Sequence, residues 1–436
     1  MTTGLAIQMT LVVTGVVVAR ALGPENRGHL ALLALVAAML WNLGPLGIPA
    51  ALTYSVARVP ERTVDIIRRV RRSAAIHVVA AACIAGVLLA LLTLGRPGYV
   101  QAGAVVAVVT VPFVILQQFG LSVLAGLRRF APFNLLRVAP NAAFAVFAVV
   151  LLVTDNAGFI EIAIAWGLSR ALFVPMTLRI AWRQANAAQT GRGEVPSTSW
   201  ILRFGRRSFI GEGPVVETYR VDQAVVALFL PPVALGFYVV ALAFTNLPRF
   251  IARSIGSVAS PTVASRRTRD NARRTMWRFF WFAVPLYLPV VVGLFVFAPE
   301  LTRFFFGEEF ADAAPITQLL LVATALYCSR RVLTDAARGG GYPGLGSVAE
   351  IVALVSVIPL FAAFVPVWET RGVAYALIAS SAIALGVLLV GLLRPGARRA
   401  APGAGWFETT AEAEARAEQN VSETPHPAGE PASRSA

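Results

Sequence analysis

The chain contains no lysine: all 38 of its basic residues are arginine. It is poor in charge altogether, with 14% Asp, Glu, Lys and Arg, where a soluble domain carries about 25%. That deficit excludes an ordinary soluble globular protein. Two cysteines, Cys83 and Cys328, both sit inside apolar runs, so no disulfide framework is expected. His29, His77 and His426 are far apart, and there is no HExxH, CxxC or Walker loop to supply metal, redox or nucleotide chemistry. No cofactor and no enzymatic activity are expected. Any active transport would then draw on an ion gradient, the membrane potential or a substrate gradient. Short segments of alternating hydrophobicity, which a transmembrane β-barrel needs, are absent as well. The first 22 residues lack a basic n-region and a small-residue cleavage site; they are expected to be a retained first helix.

Apolar residues are what the chain has: 57% of it is hydrophobic and the mean hydropathy is +0.69. Runs of about 20 apolar residues recur along it, each able to cross a hydrocarbon core of about 30 Å. The fold class expected is an all-α polytopic membrane protein. Twelve spans are predicted, at 3–22, 29–55, 73–94, 102–127, 135–153, 159–181, 208–230, 234–260, 279–298, 316–335, 347–366 and 372–393.

Arginine placement sets the orientation. The connections 58–72, 128–134, 182–207, 264–278 and 336–346, with the tail 394–436, hold 25 arginines; the opposite connections hold four, Arg27, Arg96, Arg303 and Arg371. Both termini are therefore expected in the cytoplasm. The alternation is what topology demands near an anionic leaflet, and it argues against nucleic acid as a partner despite the net charge of +15. The glycine-rich stretch 338–346 falls between two spans and follows no strand, so it is expected to be a connection and not a phosphate cradle.

The chain also repeats itself. Pro24 and Gly28 match Pro232 and Gly236, Asn42-Leu43 matches Asn246-Leu247, Pro45 matches Pro248, and Arg58 matches Arg266, at offsets of 203 to 208. Two six-helix lobes, 1–181 and 208–393, are expected around a central cavity, the usual position of a transporter's substrate site. Residues 182–207, polar and carrying Gly191, Gly193 and Pro196, read as the cytoplasmic linker between them. The tail 394–436, rich in Ala, Pro, Glu and Ser, is expected to be disordered.

Charges at membrane depth cost about 2.5–3.5 kcal/mol each on insertion scales, so they mark candidate sites. The span 208–230 carries Glu212, Glu217, Arg220 and Asp222, and it is expected to be one helix facing a polar cavity. Glu217 and Arg220 are three apart on one face and are placed to pair. Asp222 points elsewhere and, with Glu217, is the candidate for ion coupling. Arg249 and Arg253 lie one turn apart in the eighth span; Arg253 is placed to snorkel to the interface, and Arg249 is deeper. Arg170 is near the midplane of the sixth span with no acid within one turn, which calls for an acid on a neighbouring helix or an anionic ligand. Arg20 closes the first span. Arg331 and Asp335 have i,i+4 spacing and are expected to form a local ion pair. The candidate cavity residues are Arg20, Asn42, Arg170, Arg220, Asn246 and Arg249, whose guanidinium forks suit phosphate.

Ala19-Arg20-Ala21-Leu22-Gly23-Pro24-Glu25-Asn26-Arg27-Gly28 resembles the opening of bacterial polysaccharide flippases. Leu124–Phe130 with Asn134–Arg137, Tyr219–Gln223 with Leu235–Tyr238, and Phe306–Phe310 resemble three further stretches of the same proteins. The family is the Wzx-type polysaccharide biosynthesis branch of the multidrug/oligosaccharidyl-lipid/polysaccharide exporter superfamily. The resemblance implies twelve helices in two lobes working by alternating access. It implies a transporter in the bacterial plasma (inner) membrane that moves undecaprenyl-pyrophosphate-linked oligosaccharide from inner to outer leaflet. Arg20, Arg220 and Arg249 would belong to its cavity, and its partners would be that lipid, the bilayer, a polysaccharide polymerase and glycosyltransferases. Three alternatives stay open: a cation-coupled multidrug exporter of the same fold, a membrane glycosyltransferase or polymerase, and a membrane scaffold that transports nothing.

Overall fold

A backbone in hydrocarbon must satisfy its N–H and C=O groups within each segment, which leaves helices for a chain of this composition. The computed structural model describes residues 2–191, 194–210, 215–266 and 269–393, and among the described residues it contains helices and no strand. In order these are α1 (Thr2–Leu43), α2 (Ile48–Arg58), α3 (Thr63–Leu92), α4 (Gly98–Gly126), α5 (Phe130–Val153), α6 (Phe159–Ala188) and α7 (Thr198–Ile210). Then come α8 (Val215–Thr218), α9 (Val221–Phe229), α10 (Pro232–Ala264), α11 (Arg269–Val296), α12 (Ala298–Phe306), α13 (Ala313–Gly339) and α14 (Pro343–Leu393). Residues Met1–Leu389 form one compact unit and Val390–Ala436 a second, of which the described part is the last turn of α14. The tail 394–436, with Glu212 and Pro214, lies outside the described residues.

Nine of the described helices are long and apolar enough to cross a membrane. Two of them are too long to cross once. Straight, the 42 residues of α1 and the 51 of α14 would measure about 63 and 77 Å. Each is a hairpin. The α1 helix turns at Gly23 (φ 69°, ψ 175°), and α14 turns at Glu369 (φ 47°, ψ −123°), where Gly372 meets the backbone of Phe364 and Val365. Counting each hairpin twice gives eleven crossings among the described residues; α7, α8 and α9, where the seventh is predicted, are each too short to cross alone.

The boundaries differ from the sequence expectation in three places. The second crossing, predicted as continuous over 29–55, breaks at 44–47, where Leu46 and Gly47 have φ of 44° and 77°. The seventh, predicted as one helix over 208–230, is broken too: α8 is a single turn, and Arg220 between α8 and α9 is left-handed (φ 53°). The stretch 182–207, predicted as a polar linker, holds the last turns of α6 and most of α7. Alternating apolar and arginine residues make α7 amphipathic. Its Ile201 is fully buried in the first half's core, and Arg203, Arg206 and Arg207 are exposed.

Each half builds its own apolar core. Leu33, Ile48, Ile66, Leu89, Ile115 and Ile162 belong to one; Tyr238, Leu320, Val357, Phe361 and Val373 belong to the other. The second core also takes Ala31, Leu32 and Leu35 from α1, so α1 joins the halves. Contact between them is close. At the arginine-poor end a Cβ on Gly28 would strike the Pro232 carbonyl, and one on Gly236 would strike the Pro24 carbonyl. These are the residues the internal repeat pairs at an offset of 208, so the repeat is a reciprocal contact in space. At the arginine-rich end α7 packs on the first half, where Gly47 and Gly205 meet backbone to backbone. Only residues without a side chain allow helices so near. Tyr54 and Phe204 stack beside the second contact at 4.6 Å, and Trp200 stacks on Phe204 at 5.1 Å.

Candidate functional site

The break in the seventh predicted crossing turns Glu217 and Asp222 to the inside of the second half. A cavity opens there, lined by Glu217, Asp222, Gln223, Arg249, Tyr327 and Ser381 among others. The helices α8 and α9 supply the first three, α10 supplies Arg249, α13 supplies Tyr327 and α14 supplies Ser381.

Its polar groups are held in two sets. Asp222 is buried at 8% exposure, and its Oδ2 accepts a 2.7 Å hydrogen bond from the Tyr238 hydroxyl. Behind the lining, Arg330, 2% exposed, donates through Nη1 to Glu350 Oε2 at 2.9 Å, and its Nη2 is 3.7 Å from Glu217 Oε1. Tyr327 stands between two guanidinium groups: Arg249 Cζ is 5.2 Å and Arg330 Cζ 5.8 Å from its ring centroid. The ring's negative face favours both cations. Three polar atoms of cavity-lining residues are buried without a hydrogen-bond partner: Arg249 Nε, Glu217 Oε2 and Tyr327 Oη. Buried donors and acceptors are rarely left unmade, so these mark the groups a ligand would engage. Chemically the cavity offers a guanidinium fork for a phosphate group and two carboxylates for a cation or proton.

The structure thus brings together Glu217, Asp222 and Arg249 of the residues singled out from sequence. Glu217 does not pair with Arg220; the helix break separates them, and Glu217 turns to Arg330. Arg220 is exposed, with Nη1 3.4 Å from Gln223 Oε1. Asn42 lines a second cavity and donates from Nδ2 to the Thr218 carbonyl at 3.1 Å. Asn246 is half-buried on α10 and lines neither cavity. Arg170 donates from Nη2 to Asn141 Oδ1 at 2.8 Å; its partner on the neighbouring helix is an amide and not the expected acid. Arg20 is at the arginine-poor end, where it donates to the carbonyls of Phe304 and Phe305, two of the acceptors that the end of α12 leaves open. The Arg331–Asp335 pair forms at 2.8 Å.

Sequence reasoning missed Tyr238, Tyr327, Arg330 and Glu350. A signal existed for one of them: Glu350 is an acid in the predicted span 347–366 with no base one turn away, and such an acid needs a partner on another helix. Arg330 was masked by Arg331, whose local partner is visible in sequence.

Among solved structures the chain is similar to lipid II flippase MurJ in an inward closed conformation, at 15% identity, with a TM-score of 0.72 over 90% of this chain and 87% of that one. It is also similar to a multidrug resistance MATE family transporter of the MOP superfamily in an inward-facing conformation, at 18% identity, with a TM-score of 0.66 over 92% and 99% of the two chains. A ligand complex of the MATE multidrug transporter DinF-BH follows at 16% identity, with a TM-score of 0.63 over 90% and 93%. These likenesses establish the fold as the two-lobed helical architecture of those transporters. A search of curated proteins gives no match. The sequence profile described as "Polysaccharide biosynthesis protein" matches residues 17–315, and the chain belongs to that family.

Proposed function

We propose that this membrane transporter is a flippase that moves a polyprenyl-pyrophosphate-linked oligosaccharide between leaflets by alternating access. The observation that carries the reading is Arg249. It lines the inner cavity of a polysaccharide-family transporter fold with its Nε unbonded, and a planar guanidinium is suited to a diphosphate. In this account Arg249 holds the pyrophosphate, and Asn42, Arg220 and Asn246 face the substrate as the halves part. Arg20 and Arg170, which have protein partners here, would join them only in another state of the cycle. Asp222 and Glu217 couple the cycle to an ion gradient. The protein sits in the bacterial inner membrane with its arginine-rich end in the cytoplasm, and the polyprenyl chain stays in lipid while the head group crosses. Glycosyltransferases would supply the substrate and a polymerase would consume it.

The two carboxylates lining the same cavity favour a second reading, export of an organic cation. Thermal unfolding of the purified protein separates the two, because a ligand that binds the folded state raises its midpoint by mass action. Undecaprenyl pyrophosphate is expected to raise the midpoint by several degrees in wild type and not in Arg249→Gln. The organic cation tetraphenylphosphonium is expected to leave it unchanged. A rise with tetraphenylphosphonium alone would replace the flippase with the exporter.

A further inference from the structure

The second cavity has a different chemistry from the first. It is small and is lined by Asn42, Pro45, Gly47, Gln118, Thr218 and Tyr219 among others, with no charged side chain. Two facts set it apart from a packing defect. First, it lies where both helix breaks meet: Pro45 and Gly47 come from the break at 44–47, and Thr218 and Tyr219 from the break between α8 and α9. Irregular backbone at membrane depth survives where it lines a cavity, and interrupted helices mark binding sites in transporters. Second, Gln118 Oε1 is buried without a hydrogen-bond partner, so an amide in this wall has acceptor capacity that the protein does not use.

The single turn α8 is the wall between the two cavities. Val216 and Glu217 line the charged one, and Thr218 and Tyr219 line the neutral one. A ligand filling both would be anionic at one end and uncharged and hydroxyl-rich at the other. Sugar hydroxyls donate and accept, as do side-chain amides. Asn42 fixes the wall by holding the Thr218 carbonyl.

We propose that this neutral cavity binds the sugar portion of the substrate, with Gln118 as a sugar-contacting residue that contributes to specificity. The proposal rests on the flippase reading, since it assigns the other end of the same molecule.

The test is equilibrium binding to full-length protein in nanodiscs with two probes: undecaprenyl pyrophosphate, and the same lipid carrying a neutral trisaccharide. Wild type should bind the glycosylated probe about tenfold more tightly than the bare one, the value of one or two hydrogen bonds. Gln118→Leu should abolish that preference and leave affinity for the bare lipid unchanged, which also reports that the variant is folded. Gln118→Asn should keep part of the preference. Arg249→Gln should weaken both probes alike. A wild type that binds both probes equally, or a preference that survives Gln118→Leu, overturns the sugar site and leaves the flippase standing. A wild type that binds neither probe overturns both.

Discussion

Arg330 faces a strict physical demand. It is 2% exposed and lies between Glu217 and Glu350, which come from different helices. A buried cation is tolerable only with such partners, and its removal would leave two carboxylates together without compensation. Breaking a buried pair typically costs about 3–5 kcal/mol. Arg330→Gln should therefore lower the thermal midpoint sharply, and adding Glu350→Gln should restore part of it. An exposed pair is the control. Arg303 and Glu308 are 3.2 Å apart at 57% and 75% side-chain exposure, and surface pairs are worth about 0–1 kcal/mol, so Arg303→Ala should change the midpoint little. Equal losses from both substitutions would show that Arg330 is not the organising charge. A contrast with the Arg331–Asp335 pair explains what sequence could reveal. An i,i+4 pair is visible in a string of letters; Arg330 with Glu350 and Glu217 is not, because 20 and 113 positions separate the partners and three helices must be in place first.

At the scale of elements, the broken seventh crossing decides where the chemistry sits. A continuous helix over 208–230 would have presented Glu217 and Arg220 on one face as a self-satisfied pair. The left-handed Arg220 ends that register, turns Glu217 toward α13 and lets Asp222 reach Tyr238. Nothing in the sequence forecast this, since a left-handed arginine carries none of the glycine or asparagine signal that such a conformation usually needs. The break at 44–47 was better announced: Gly44, Pro45 and Gly47 are the residues that interrupt a helix. This second break also holds α2 against α7 through the Gly47–Gly205 crossing. Cysteines replacing Tyr54 and Phe204, whose rings stack at 4.6 Å, should cross-link readily once the native Cys83 and Cys328 are replaced. Adding Gly47→Val should abolish the cross-link by forcing the helices apart, while Gly28→Val, at the other end, should not. Persistence of the cross-link in Gly47→Val would mean that the glycine contact does not hold α2 against α7.

At the scale of the whole molecule, hydropathy and arginine placement carried most of the fold. The nine long apolar helices were legible because a bilayer tests length and apolarity one segment at a time. The Pro24–Gly28 and Pro232–Gly236 repeat was legible too, and it proved to be a contact between the halves. The site was legible only as a set of costly charges. Which of them converge depends on helix rotation and on two breaks, and neither is encoded in composition. What results is a two-lobed transporter of the polysaccharide biosynthesis family whose halves meet at a reciprocal glycine contact at the arginine-poor end, with a charged and a neutral cavity. The direct measurement is the leaflet exposure of a fluorescent undecaprenyl-pyrophosphate-linked oligosaccharide in proteoliposomes, followed over time with wild type and with Arg249→Gln. The account predicts that wild type moves the lipid to the opposite leaflet without ATP, and that folded Arg249→Gln moves it at least about tenfold more slowly, the loss of one charge-assisted contact. Equal rates in the two proteins, or no movement by wild type beyond that of empty liposomes, would contradict it.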